Sequence, residues 1–385
     1  MHRLAGKEVV SLSLQSFTEC FQVVLIAPGA APTAGNLQFY PLRSEWFNKL
    51  KPLPLIGHLF NYFYFIYLRI AIHSIVKKSR IQPDVVYMAG PWMSLIGQNL
   101  RIKKRPLMVN RYYGTSIPLN YKKTLKNRLR YALKLAGYRK TGDLVIMTND
   151  GTRGNEFLTK LGCPAEKIRF WTNGLHLHVE AIAREKARQI VSSRWGITAN
   201  TQILLTVSRL AGWKRVDRAI ELLASIENQQ AQTVLIIAGD GEQRQALEEK
   251  VRQLNLGKKV IFAGSLSRTE LNWLYPASDV FISLYEHSNA GNPLFEAMLH
   301  ACCIYTFGGP EVRAYLDENS AMLVEPGTPN AEALCTVLDN RSLRETLGEN
   351  ARIKALQHFE SWEIRIERER QEIVNALKKL QLPQE

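Results

Sequence analysis

Short apolar runs alternate with amphipathic stretches through the second half of this chain. Residues 202–208 (QILLTVS) are apolar and too short for a helix, and KRVDRAIELLASI behind them is apolar at helical spacing. The pair recurs in TVLIIAG (233–239) before EQRQALEEKVRQL and in KVIFAG (259–264) before RTELNWLYPAS. DVFISLY (279–285), CIYTFGG (303–309) before PEVRAYLDE, and AMLVEPG (321–327) before NAEALCTVL continue it. Strands without a polar face, separated by amphipathic helices, predict a parallel sheet covered on both sides. Connections in such a sheet are right-handed, and ligands bind beyond the C-terminal strand ends.

The first half is less regular. VVLIAPG (23–29), DVVYMAG (84–90), PLMVNRYYG (106–114), DLVIMTND (143–150) and KIRFWTNG (167–174) read as strands. PLIGHLFNYFYFIYLRIAIHSIV (54–76) approaches the length of a membrane span. His58, Asn61, Arg69 and His73 interrupt it, so the expectation is a largely buried helix, with a helix lying on or near a membrane as the alternative. The pattern predicts two doubly wound α/β domains facing across a cleft, 1–176 and 177–360. A charged helix over 361–385 is expected to pack back on the first domain.

Composition sharpens this picture in two places. A chain of 385 residues, 46 % hydrophobic and 22 % charged, is globular and long enough for two cores. Fifty Lys and Arg against 35 Asp and Glu give a net charge of +15, which favours an anionic partner. The segment 121–140 holds eight of these cations and no acid. Leu125, Leu129, Leu133 and Ala136 form an apolar stripe that is expected to pack on protein and turn the cations to an anionic membrane. No recognisable nucleic-acid motif accompanies the charge, so nucleic acid is not expected as a partner. Five cysteines without CxxC spacing and no evident signal peptide predict a reduced, cytoplasmic chain, peripheral at the inner membrane face.

Chemistry concentrates after two strands. Arg209 and Lys214 lie five residues apart in VSRLAGWK, with Gly212 between them. Arg209 offers a planar fork for phosphate oxygens and Lys214 a point charge. Fixed cations stabilise a diphosphate leaving group most as the bond to the sugar breaks. In SNAGNPLFEAM, Asn292 suits an N-cap and Pro293 the first helical position. The N–H groups of that turn, among Gly291, Asn292 and Leu294, make an anion site. Glu296 follows and suits the two hydroxyls of a ribose. Gly239, Gly241 and Gly264 at strand ends would let backbone approach a ligand. No GxGxxG follows a strand, which ranks a dinucleotide-dependent dehydrogenase low.

Taken in order, these residues resemble the retaining glycosyltransferases of the GT-B fold, the family that includes sucrose synthase and many bacterial polysaccharide and lipid glycosyltransferases. The resemblance covers roughly residues 84–365 and is strongest from Asn173 to Glu296. It also takes in Phe359 with Ser361-Trp362-Glu363. It implies donor phosphates on Arg209 and Lys214, ribose on Glu296, and donor contacts near Gly239, Gly241, Gly264, Ser288, Gly291, Asn292, Pro293 and Leu294. Many members carry a glutamate where this chain has Ser288, and Glu286 is the nearest substitute. A histidine is common after the strand matching PLMVN. Here Arg111, Tyr112, Tyr113 and Gly114 stand there, on the expected sugar and acceptor side with Asn173 and Glu286.

The resemblance further implies metal-independent transfer from a nucleotide-sugar donor to a saccharide or lipid-linked hydroxyl, with retention and no other cofactor. A catalytically silent relative that binds a membrane or partner is the alternative. VVLIAPG resembles the family's second strand, yet only about twenty residues precede it. The first domain is therefore expected to be abridged or to start upstream.

Overall fold

The computed structural model describes residues 13–28, 36–42, 57–115, 124–177, 182–227, 232–327 and 329–381, with isolated positions between some of them. They form two compact units. One spans Gly174–Trp362; the other joins the residues before Gly174 to the helix after Trp362.

The first unit contains β1 (Val23–Pro28), β2 (Leu37–Leu42), β3 (Val85–Ala89), β4 (Leu107–Tyr112), β5 (Leu144–Thr148) and β6 (Ile168–Trp171). β1 and β2 pair in parallel as a sheet of their own, while β3-β4-β5-β6 form a second parallel sheet in sequence order. β2 is an addition to the sequence reading: Pro41 inside LQFYPL hides a strand whose Leu42 is buried. Within the segment 6–20, residues 6–12 lie outside the described residues. Residues 13–20 are helical, and Phe17 packs edge-on against Tyr87 at 5.6 Å.

The helix Trp362–Gln381 lies on this unit. Its Glu369 receives the Tyr87 hydroxyl at 2.5 Å, Arg111 Nε at 3.3 Å and Arg365 Nη1 at 3.1 Å. Arg365 also donates to the Thr172 carbonyl and lies over the Trp171 ring, while Arg169 pairs with Glu372 at 2.8 Å.

Two helices depart from expectation. In Gly57–Lys78, Tyr64, Phe65, Leu68 and Ile72 are buried, but Phe63, Ile66 and Ile70 are exposed. In Leu125–Arg139, Leu125 and Leu129 point to solvent instead of packing on protein. Leu135, Gly137 and Tyr138 make that helix's core contact, because the close approach of Gly137 to the Pro91 backbone fixes its rotation.

The second unit has β7 (Gln202–Val207), β8 (Thr233–Ala238), β9 (Val260–Gly264), β10 (Val280–Ser283), β11 (Cys303–Phe307) and β12 (Met322–Val324). Their order is β12-β11-β10-β7-β8-β9, all parallel. Sequence order therefore reverses between β7 and β10, and the crevice at such a reversal is where open α/β sheets hold ligands. Separate apolar cores cover the two sheet faces. Gly174 opens the unit against the Trp362 backbone. A Cβ there would lie 2.5 Å from Trp362 Cα, so only glycine fits, and Leu175 N–H bonds the Glu360 carbonyl at 2.9 Å.

Removing Glu369 leaves two buried guanidiniums without their carboxylate. Glu369→Ala should cost about 3–5 kcal/mol of stability. Urea unfolding measures this, and a loss below about 1 kcal/mol would contradict the assigned pairing.

Candidate active site

The loops after β7 and β10 meet at the strand-order reversal. Past β7, backbone bonds pin the chain: Leu210 N–H donates to the Asp240 carbonyl, and Gln243 N–H to the Leu210 carbonyl, both at 3.0 Å. Gly239 has φ +139°, and a Cβ there would sit 1.7 Å from the Ser208 carbonyl oxygen. At Gly241 it would sit 2.4 Å from the Leu210 carbonyl oxygen. Both glycines thus brace the cation loop from behind. Gly264 joins the brace through its carbonyl, which accepts Gly239 N–H at 2.7 Å.

Arg209 is exposed at the loop's start. Lys214 ends a short turn, Gly212–Lys214, and is 9 % exposed. Its Nζ stands 3.7 Å from the centre of the Tyr285 ring and 4.2 Å from that of Trp213. Aromatic faces attract an ammonium in this geometry, the more so where water is displaced.

Tyr285 is itself fixed. Its hydroxyl donates to the Val207 carbonyl at 3.0 Å, and its N–H to Asn289 Oδ1 at 2.7 Å. Asn289 Oδ1 also receives the Ser283 hydroxyl at 3.0 Å, and Glu286 N–H reaches the Trp213 carbonyl at 3.1 Å. The two loops are knitted together. Trp213, Tyr285 and Asn289 were not read from the sequence as site residues, though Tyr285 closes the apolar DVFISLY run where a strand meets its ligand edge.

The helix Asn292–Leu299 follows, capped by Gly291; the expected cap, Asn292, sits one position inside. Leu294 is buried, and its N–H closes on the Gly291 carbonyl at 2.9 Å, so it anchors the turn. Pro293 occupies the second position, and its carbonyl lies 3.4 Å from the Tyr275 hydroxyl. That hydroxyl donates to Glu296 Oε2 at 2.9 Å, and the Tyr275 ring stacks on His300 at 5.1 Å. Glu296 keeps some accessible surface, yet the protein packed about its carboxyl pushes the pKa up to about 7. The Tyr275 hydrogen bond and Arg268 oppose that shift. Burial holds the His300 imidazole down at about 4, so it is neutral beside Tyr275.

The residues expected around the sugar are divided between the two units. Ser288 is buried next to Asn289. Glu286 turns to Arg215 at 3.7 Å, while Arg215 grips Asp217 with Nε and Nη2. In the first unit Tyr112 is a core residue, 1 % exposed, with its hydroxyl 2.9 Å from Ser94 Oγ and its ring on Tyr138. Arg111 is buried on the other face of β4 by Glu369, and its Nη1 donates to Thr148 Oγ1 at 2.9 Å. Thr148 continues to Asn173 Oδ1 at 3.3 Å, so Arg111 and Asn173 share one network. Tyr113 is exposed under the Arg111 guanidinium, and Gly114 turns against the Asp150 carboxylate. Arg111 and Tyr112 are thus buried within their unit, and Tyr113 is the one of the two tyrosines that solvent reaches.

Residues 187–354 match the family described as glycosyl transferases group 1. That match takes in β7 to β12 and the segments that carry Arg209, Lys214 and Glu296. Sulfoquinovosyl transferase SQD2 of Arabidopsis thaliana is 22 % identical over 293 residues, covering 74 % of this chain and 56 % of that one. Alpha-monoglucosyldiacylglycerol synthase of Streptococcus pneumoniae is 26 % identical over 164 residues, covering 38 % and 37 %. The chain spans about half the length of the curated relatives it matches. Among solved structures, sucrose-phosphate synthase from Thermosynechococcus elongatus superposes with a TM-score of 0.76 at 19 % identity, over 97 % of this chain and 94 % of that one. HepE from Anabaena, solved with UDP and glucose, gives 0.70 at 18 %, over 96 % and 95 %. These neighbours show that the chain has the GT-B fold.

The Glu296 carboxyl supplies a pH test. Folded, it keeps its proton to about pH 7; unfolded, it releases it near the ordinary value of 4.5. The folded state therefore binds more protons between those values, and stability falls as pH rises through them. Melting curves should show Glu296→Gln gaining about 1–3 kcal/mol relative to the native chain from pH 5 to pH 8. A difference that stays flat with pH would contradict the raised pKa.

Proposed function

We propose that this chain transfers a sugar from a nucleotide-diphosphate donor to a hydroxyl of a saccharide or lipid-linked acceptor, in polysaccharide or glycolipid synthesis. One observation carries the reading: the buried Lys214 ammonium is caged by Trp213 of its own loop and by Tyr285 of the β10 loop that leads into the Glu296 helix, at the strand-order reversal. A cation held in a dry site before the substrate arrives stabilises charge appearing on a leaving diphosphate at little reorganisation cost. Arg209, exposed beside it, adds a bidentate fork. Glu296 in its ionised form accepts from two ribose hydroxyls.

HepE, whose structure was solved with UDP and with UDP-glucose, supports a nucleotide-sugar donor. A relative named as a monoglucosyldiacylglycerol synthase supports a glycolipid product. On this reading configuration is retained, the departing phosphate takes the acceptor proton, and no metal or protein nucleophile takes part. A second reading, a silent relative that binds donor without turning it over, is favoured by Glu286, whose carboxylate is drawn to Arg215.

UDP-, GDP- and ADP-sugars should be screened for thermal stabilisation and slow hydrolysis, with and without EDTA. Stabilisation by one donor with EDTA-insensitive hydrolysis is expected; binding without turnover points to the silent reading. Arg209→Ala with Lys214→Ala should reduce turnover by about a thousandfold or more with little change in melting temperature. A fully active double variant would overturn the assignment.

A further inference from the structure

Two helices of the first unit turn apolar side chains outward, where a water-facing helix carries polar ones. On Gly57–Lys78 the stripe opposite the core holds Phe63, Ile66 and Ile70, exposed by 55 %, 50 % and 64 %. On Leu125–Arg139, Leu125 and Leu129 are exposed by 74 % and 61 %. The Tyr62 hydroxyl donates to the Leu129 carbonyl at 2.9 Å, which sets the two stripes side by side.

Charge narrows what covers this face. Neither helix contains an Asp or Glu, while Arg69, Arg128 and Arg130 are exposed beside the apolar stripes. A second copy meeting this face through its own would oppose cations with cations, which is repulsive. An anionic surface with an apolar layer beneath it satisfies both halves. Among the described residues, no helix is long and apolar enough to cross a membrane, and Arg69 interrupts the longer candidate. A helix of this kind lies along a bilayer.

We propose that this two-helix face docks on a bilayer containing anionic phospholipid. Phe63, Ile66, Ile70, Leu125 and Leu129 enter the acyl boundary, and Arg69, Arg128 and Arg130 meet head-group phosphates. The inference is independent of sugar transfer, since it needs neither donor nor turnover.

Sedimentation of the full chain with extruded vesicles tests it, comparing phosphatidylglycerol–phosphatidylcholine with phosphatidylcholine alone. The chain should pellet with the first and poorly with the second, and less as salt rises. Phe63→Ser/Ile66→Ser/Ile70→Ser, and separately Arg128→Glu/Arg130→Glu, should each weaken binding about tenfold or more. These side chains are exposed, and circular dichroism checks that both variants fold. Variants that pellet like the native chain would overturn the proposal, as would a native chain that ignores anionic vesicles. So would a concentration-dependent dimer that the apolar triple variant abolishes, because a second copy would then be the occupant.

Discussion

The reversal of strand order between β7 and β10 is the constraint on which the candidate site depends. β7 leads outward to β8 and β9; β10 restarts on the other side of β7 and leads to β11 and β12. The chain leaving β7 and the chain leaving β10 therefore emerge side by side, and no later helix separates them. About eighty residues of sequence lie between Lys214 and Glu296, but the sheet makes their loops neighbours. Either cation or carboxylate alone would be an unremarkable loop charge. Their meeting at one sheet edge is what suits a diphosphate and its ribose.

Holding that meeting in place falls to groups with no charge of their own. Tyr285 ties β10 to the end of β7 through the Val207 carbonyl and lays its ring under the Lys214 ammonium. Asn289 folds the following loop back onto Tyr285 and Ser283. Gly239 and Gly241 let the neighbouring turn press against Ser208 and Leu210 at distances no side chain permits. Glu296 is treated differently: its surroundings disfavour its charge, and Tyr275 only partly offsets that. A ligand offering hydroxyl donors and a nearby cation would make ionisation favourable, which couples binding to proton release.

Much of this was legible in the sequence, because apolar strands and amphipathic helices differ in period and the second unit keeps both cleanly. QILLTVS, TVLIIAG and KVIFAG all became strands where their apolar runs lie. The cations and Glu296 could be named because charges at strand ends stand out against such runs. The bracing residues could not, since an asparagine or tyrosine in a loop has no sequence signature for the carbonyl it will meet. In RYYG the sequence left open which tyrosine emerges. Successive strand residues face opposite ways, so Arg111 and Tyr112 are buried on different sides of β4 while Tyr113 emerges. In 121–140 the leucines recur at helical spacing, but spacing does not say which face the neighbouring helix takes. Gly137 against Pro91 decided that, leaving Leu125 and Leu129 outside.

On the proposed function, the Lys214 loop and Glu296 hold opposite ends of one nucleoside diphosphate. Isothermal titration of UDP, UMP and uridine into the native chain, Lys214→Met and Glu296→Gln tests it most directly, with another base series if uridine compounds do not bind. UDP should bind tightest to the native chain. Lys214→Met should erase most of its advantage over uridine, and Glu296→Gln should weaken all three alike. Unchanged UDP affinity in Lys214→Met, or nucleotide binding indifferent to both substitutions, would contradict it.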